Sequence, residues 1–262
     1  MNDWKPYLDS AVEAARAAEA VIRHYYASDF EVRRKADASP VTVADVESER
    51  EIKRVLSAAW PEAGFYGEEL GKEKADSEYL WLIDPIDGTK SFVRGYPFFS
   101  TQIALMHRGE LVVGVSNAPL FGAGELACAA QGMGATLNDA AIKTSTIDDL
   151  AEASLSLGNI ASLAALPAWP GAGELIGRVS RIRGYGDFYH YHLLASGRID
   201  AIVESDLNIL DIAALTVIMR EAGGDVTTLS GGSIGLDTRS MLATNGQLRD
   251  SVTPYLQAWS SE

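Results

Sequence analysis

The sequence predicts a mixed α/β protein in which layered sheets are covered by helices. Three observations lead there. Residues 7–25 and 42–59 carry apolar side chains at helical spacing, and residues 79–138 carry short apolar runs parted by turn residues. From residue 153 onward, strand-like and helix-like segments alternate. The change of pattern after the Gly-rich segment 132–138 places a boundary near residue 140, giving an N-terminal half (1–140) with an antiparallel sheet and a C-terminal half (141–262) that completes the site.

The elements follow in order. Tyr7, Leu8, Ala11, Ala14, Ala15, Ala18, Val21, Ile22 and Tyr25 recur every three to four residues, which makes an amphipathic first helix. Residues 30–35 read as a short strand. Thr42 opens a second helix with Val46, Ile52, Val55, Leu56 and Ala59 facing inward. Thr42-Val43-Ala44-Asp45 fits a capping box with Asp in place of the usual Glu. Tyr79–Ile83 is a compact apolar strand, and 98–106, 110–117 and 124–130 are neighbouring antiparallel strands turned at His107-Arg108-Gly109 and around Pro119–Gly122. A Gly-rich segment, 132–138, closes the block. In the second half, 153–157, 199–203, 225–229 and 241–244 read as strands, and 186–196, 211–222 and 246–258 as helices. Ile212, Leu215, Ile218, Met219 and Ala222 line one face of the middle helix, and Gly223-Gly224 ends it.

Composition narrows the function. A formal charge of −14 on 262 residues argues against a nucleic-acid or anionic-membrane surface, both of which need clustered Lys and Arg. It leaves room for a protein that holds cations. The longest uncharged stretch lies between Glu152 and Glu174; Gly158, Asn159, Pro167 and Pro170 interrupt it, so it reads as a buried strand followed by a loop and not as a membrane span. Cys128 is the only cysteine, so no intrachain disulfide forms; a small buried apolar role fits it, and a reducing compartment suits the chain. Met1-Asn2-Asp3-Trp4-Lys5-Pro6 lacks the basic start and apolar run of a signal peptide, and a cytoplasmic protein is expected. The chain has no Gly-x-x-x-x-Gly-Lys-Ser/Thr loop, no Gly-x-Ser-x-Gly elbow and no Gly-x-Gly-x-x-Gly turn after a strand, which leaves P-loop, serine-hydrolase and dinucleotide chemistry unsupported.

The carboxylates carry the chemistry. In Trp81-Leu82-Ile83-Asp84-Pro85-Ile86-Asp87-Gly88-Thr89-Lys90 a buried strand ends on Asp84, with Asp87 three residues on. Two acids this close repel unless a cation lies between them, and Gly88-Thr89 then begins a helical turn whose free N–H groups suit a phosphate oxygen. A plain turn with an Asp cap is the competing reading. Glu68-Glu69 after Gly67 would send only one side chain to a given site if it continues a strand, and reads otherwise as a solvated acidic loop. Asp211 at a helix start and Asp45 in its capping box also have ordinary capping explanations. Together these acids gather at element ends without a His or Cys cluster, and such hard oxygen donors favour Mg²⁺ or Mn²⁺ over Zn²⁺. His190 and His192, two apart on a helix, are packing or surface residues.

Asp84-Pro85-Ile86-Asp87-Gly88-Thr89 resembles the signature of the inositol-monophosphatase family. The resemblance extends along the chain through Ser39-Pro40-Val41-Thr42 with Asp45, Gly67-Glu68-Glu69, and Asp211 followed by Glu221-Ala222-Gly223-Gly224. Gly88-Thr89-Lys90-Ser91-Phe92 and Arg183-Gly184-Tyr185-Gly186-Asp187-Phe188-Tyr189 with Tyr191 are most similar to the histidinol-phosphate phosphatase branch. His190 stands where Gly is usual, and Leu210 where Trp is usual. The resemblance implies a layered αβαβα fold and Mg²⁺-dependent hydrolysis of a small phosphomonoester by two or three Mg²⁺ ions, with Mn²⁺ as a substitute. It implies that Glu68, Asp84 and the Ile86 carbonyl hold one metal, and that Asp84, Asp87 and Asp211 hold a second. Asp45 and Thr89 would position and activate water, and the Gly88 and Thr89 amides would hold the phosphate. Glu204 matches the family's substrate-hydroxyl acid; Asp187, Lys90 and Arg183 complete the expected substrate contacts. A homodimer is also implied. Histidinol phosphate, inositol-1-phosphate and a 3′,5′-bisphosphate nucleotide are the candidate substrates in that order, and a non-catalytic metal- or phosphate-binding protein is the alternative of a different class.

Overall fold

The computed structural model describes residues 3–27, 32–34, 40–167 and 169–259. In chain order the elements are α1 (Lys5–Tyr26), β1 (Val32–Arg34), β2 (Pro40–Thr42), α2 (Val43–Ala59), β3 (Gly64–Gly67), β4 (Gly71–Glu73), β5 (Tyr79–Asp87), α3 (Thr89–Val93), β6 (Ser100–His107), β7 (Glu110–Ala118), β8 (Glu125–Ala130), β9 (Ala135–Leu137) and β10 (Ala140–Ile142). They continue with β11 (Ser154–Leu157), α4 (Ile160–Ala165), α5 (Trp169–Ile176), β12 (Arg181–Arg183), α6 (Asp187–Ala195), β13 (Ala201–Ser205), α7 (Ile209–Glu221), β14 (Asp225–Thr227), β15 (Ser240–Thr244), α8 (Arg249–Val252) and a closing 3-10 helix (Thr253–Trp259). The mixed α+β class expected from the patterning is what this order shows. Two compact units result: one holds the residues up to Asp139 with Leu210–Ile218, the other Ala140–Ile209 and the residues from Met219 onward.

In the first unit the strands form an eight-stranded mixed sheet, ordered β10-β9-β8-β7-β6-β5-β3-β4. The three long antiparallel strands anticipated around 98–130 are β6, β7 and β8, registered at Ile103↔Val115 and Val115↔Cys128. The helices α1 and α2 pack on one another, with α1 also on β6, β7 and β8 and α2 on β5. The apolar stripe of α1 explains this: Ala11, Ala14, Ala15, Ala18 and Ile22 are buried, and the small alanines let the helix lie close. Trp81, Ile83, Ile103, Leu105, Val113 and Val115 meet Ile22, Ile52 and Leu56 in the core; each such large side chain contributes about 1.5–3 kcal/mol by leaving water. Gly114 on β7 admits α7, because a Cβ there would lie 2.3 Å from the Ala214 carbonyl oxygen.

The second unit is built on a five-stranded sheet, ordered β12-β11-β13-β15-β14. Strand β11 runs parallel to both β12 and β13, whereas β13–β15 and β14–β15 are antiparallel. The Gly223-Gly224 stop works as a Schellman cap: Gly223 N–H donates to the Arg220 carbonyl at 3.0 Å and Gly224 N–H to the Met219 carbonyl at 2.9 Å.

Several expectations change. The uncharged stretch is a strand followed by two helices, α4 and α5, instead of a loop; Pro170 is tolerated because it falls in the first turn of α5, where its missing N–H has no intrahelical partner to lose. The helix expected over 246–258 divides into α8 and the 3-10 segment. Ala59 is exposed, and α7 is buried all round from Ile212 to Met219 rather than on one face. Cys128 is only half-buried, with its Sγ 3.3 Å from Thr136 Oγ1. Of the strand expected at 30–35, Val32–Arg34 form one, while residues 30, 31 and 35 lie outside the described residues, as does Ser39. Among the described residues no helix is long and apolar enough to cross a membrane.

Candidate active site

The strand carrying Asp84 does not stop there. It runs on to Asp87, and its pairing with β6 slips between Asp84↔Gln102 and Asp87↔Ser100. Pro85 sits inside that slip, where its missing N–H breaks no ladder bond, and its carbonyl accepts from Thr101 Oγ1 at 2.9 Å. The bulge turns two acids three residues apart to the same place. Asp84, Asp87 and Asp211 each offer a carboxylate oxygen, and these atoms lie within 4.8 Å of one another. Asp211 reaches the cluster as the third residue of α7, so it is not that helix's N-cap. Asp84 is only 2% exposed, and Ile86 N–H donates to its Oδ1 at 3.0 Å.

The electrostatics are those of acids crowded together and buried. Burial pushes the Asp84 carboxyl well above the usual carboxylate range, and the negative charges of Glu68, Asp87 and Asp211 push it the same way. A divalent cation held by oxygen donors would reverse that repulsion, and a set made only of carboxylates suits a hard ion such as Mg²⁺. The donor set therefore fits the metal that the sequence suggests.

Asp45 fulfils the capping reading and also meets Thr89. Its Oδ2 closes the capping box by accepting from Thr42 N–H at 2.7 Å and Thr42 Oγ1 at 2.6 Å, while Thr42 Oγ1 accepts from Ala44 N–H at 3.1 Å. Its Oδ1 lies 3.0 Å from Thr89 Oγ1, which is also 2.9 Å from the Ile86 carbonyl; the single hydroxyl proton serves one of the two at a time. Asp45 is fully buried, and burial raises its carboxyl despite the Thr42 and Thr89 donors. Gly88 precedes Thr89 at φ +92°, and a Cβ there would lie 2.8 Å from the Phe98 carbonyl oxygen, so this turn requires glycine. Lys90 is exposed on α3.

Glu68 and Glu69 belong to the β3–β4 turn, not to a strand, so the alternation argument does not apply to them. Glu68 is exposed, yet close enough for its charge to act on both Asp84 and Asp45. The turn rests on a residue that the sequence reading missed. Glu49 on α2 is 2% exposed, and its carboxylate accepts from Glu69 N–H at 2.7 Å and Leu70 N–H at 3.1 Å. Burial pushes its carboxyl up to about 7 against those two donors. Its signal is an acid four residues after Asp45, hence on the same inward face of an amphipathic helix.

The remaining expected residues lie in the second unit. Glu204 on β13 is buried rather than a surface acid at a strand end; its Oε2 accepts from Tyr191 OH at 2.5 Å and lies 3.1 Å from His190 Nε2. His190 Nδ1 lies 3.2 Å from Ser156 Oγ, and His192 packs edge-on to Phe188, so both histidines are buried packing residues rather than surface ones. Asp187 is the first residue of α6, not its N-cap, and has φ +43°, a strained value for a non-glycine. Arg183 is exposed at the end of β12.

A mixed α+β fold that gathers one buried and two half-buried carboxylates beside a Thr–Asp pair defines a candidate metal-dependent hydrolase. Residues 3–260 match the inositol monophosphatase family. A histidinol-phosphatase of Mycobacterium tuberculosis is 37% identical over 252 residues, covering 94% of this chain and 95% of that protein. An inositol-1-monophosphatase of Caulobacter vibrioides is 32% identical over 261 residues, covering 94% and 99%. The solved inositol monophosphatase of Anabaena superposes with a TM-score of 0.84 at 31% identity, covering 97% of this chain and 96% of that one. The chain belongs to the inositol monophosphatase family and is a phosphatase.

Proposed function

We propose that this phosphatase hydrolyses L-histidinol phosphate to L-histidinol and phosphate with Mg²⁺ as its cofactor. The observation that carries the hydrolytic reading is the convergence of Asp84, Asp87 and Asp211 within 4.8 Å. Glu68, Asp84 and the Ile86 carbonyl would hold one Mg²⁺, and Asp84, Asp87 and Asp211 a second; Mn²⁺ would substitute. Bound Mg²⁺ supplies neutralising charge for a phosphate dianion and its departing alkoxide.

The chain's own groups supply the proton path. Thr89 Oγ1 takes a proton from the attacking water while passing its own to Asp45 Oδ1, 3.0 Å away. Burial raises the Asp45 carboxyl, which makes its carboxylate a better proton acceptor. Thr42, bound to the other oxygen, keeps Oδ1 directed at Thr89. The Gly88 and Thr89 amides would hold the phosphate, as befits the opening turn of a helix.

Histidinol phosphate carries an ammonium and an imidazole. Asp187 and Glu204 are the acids assigned to those groups, and Lys90 and Arg183 are the cations assigned to the substrate, few for the extra charge of a nucleotide bisphosphate. The 37% identity to the mycobacterial histidinol-phosphatase supports this order of substrates, and the 32% identity to an inositol-1-monophosphatase supports inositol-1-phosphate as the second reading. A homodimer in the cytoplasm completes the proposal. The test is a panel of L-histidinol phosphate, inositol-1-phosphate and a 3′,5′-bisphosphate nucleotide, read as free phosphate. Histidinol phosphate should lead in kcat/KM by about ten-fold or more, equal to about 1.4 kcal/mol in the transition state. A ten-fold preference for inositol-1-phosphate would reverse the assignment.

A further inference from the structure

We propose that Glu49 is a positioning residue that fixes the Glu68 turn for metal binding. The proposal rests on Glu68 serving as a metal ligand. Three consecutive N–H groups define that turn. Glu68 N–H donates to the Ile83 carbonyl at 3.1 Å, one residue before Asp84. Glu69 and Leu70 N–H both donate to the two oxygens of Glu49, at 2.7 and 3.1 Å. The turn is thus pinned on one side to the Asp84 strand and on the other to the Asp45 helix.

Gly67 gives an independent sign that the Glu49 carboxylate is meant to lie there. A Cβ on residue 67 would sit 1.7 Å from Glu49 Oε1 and 2.4 Å from its Cδ, so the carboxylate occupies the space that a side chain would fill. Glutamine cannot replace Glu49 cleanly. It has one acceptor oxygen, and its NH₂ would face an N–H that needs an acceptor. A shell of this kind around a ligand changes metal affinity by about 10–100-fold when removed.

The test uses the full chain and Mn²⁺ alone, titrated calorimetrically into protein freed of metal, alongside Mg²⁺ activation of phosphate release. Glu49→Gln should weaken Mn²⁺ binding by about ten-fold or more and raise the Mg²⁺ concentration for half-activation to match, while kcat at saturating Mg²⁺ falls less than about three-fold. Gly67→Ala should reproduce the shift, and the double variant should add little, because both changes dislodge one carboxylate. Thermal melts of the metal-free forms identify the folded variants. Unchanged Mn²⁺ affinity in folded variants, with only the melting temperature lowered, overturns the proposal, as does loss of the fold in both variants. Hydrolysis of no substrate by a wild-type protein that binds Mn²⁺ would instead defeat the phosphatase reading, leaving the calorimetric comparison to decide on Glu49.

Discussion

In the proposed mechanism Thr89 and Asp45 divide the work of one proton path, and each can be altered without emptying the core. Thr89→Ala deletes a hydroxyl on a half-buried turn, so its phosphate release should fall by about 10²–10⁴-fold with little loss of stability. Asp45→Asn keeps an oxygen for the Thr42 cap but loses the acceptor of a transferred proton; activity should fall comparably, with stability within about 1 kcal/mol of wild type. Steady-state kinetics and thermal melts check both. Retained activity in Thr89→Ala would remove the hydroxyl from the path. Asp45 also shows how a residue's role is hidden in sequence. Its capping position is legible from the Thr42–Asp45 spacing, but the second oxygen's contact with Thr89, forty-four residues away, exists only once β5 and α2 pack.

The element that presents Asp211 depends on a glycine in another element. A methyl group on Gly114 would strike the Ala214 carbonyl at 2.3 Å and push α7 from β7. Gly114→Ala should therefore cost about 1–3 kcal/mol and weaken metal binding as well, measured by denaturant unfolding and Mn²⁺ titration. A stability loss with unchanged metal affinity would show that α7 yields elsewhere. Long periodic elements such as α1, α2, β6 and β7 were legible, because their apolar spacing is set by one packing surface. Strands of three residues, such as β4, β9, β10 and β12, are too short to display a period and are selected by their neighbours in the sheet. The helices α4 and α5 escaped because Pro167 and Pro170 read as breakers although both fall outside helix interiors. Glu49 escaped because a buried acid looks like an exposed one until its two N–H partners arrive through the β3–β4 turn.

Charge ties the molecule together. The net charge of −14 marks a chain that concentrates acids, and the elevated carboxyls of Asp84, Asp45 and Glu49 show where some of them are confined. A carboxyl raised in the folded state binds its proton more tightly there than when unfolded. Its stabilisation is complete below the unfolded value and is lost as pH rises through the folded one, which for Glu49 spans 4.5 to about 7. The metal-free protein should therefore lose melting temperature between about pH 4.5 and 7 through these groups, and Mg²⁺ at the upper pH should restore it by about 2–4 °C per kcal/mol of binding. A melting temperature that rises over that range in chelator would contradict this. The clearest test measures phosphate release from L-histidinol phosphate by chelator-treated wild type and Asp84→Asn, with and without Mg²⁺, each shown to be folded by circular dichroism. Wild type should release phosphate only when Mg²⁺ is restored, and Asp84→Asn should stay folded and release essentially none. Metal-independent hydrolysis, or full activity in Asp84→Asn, would contradict a reaction built on these carboxylates.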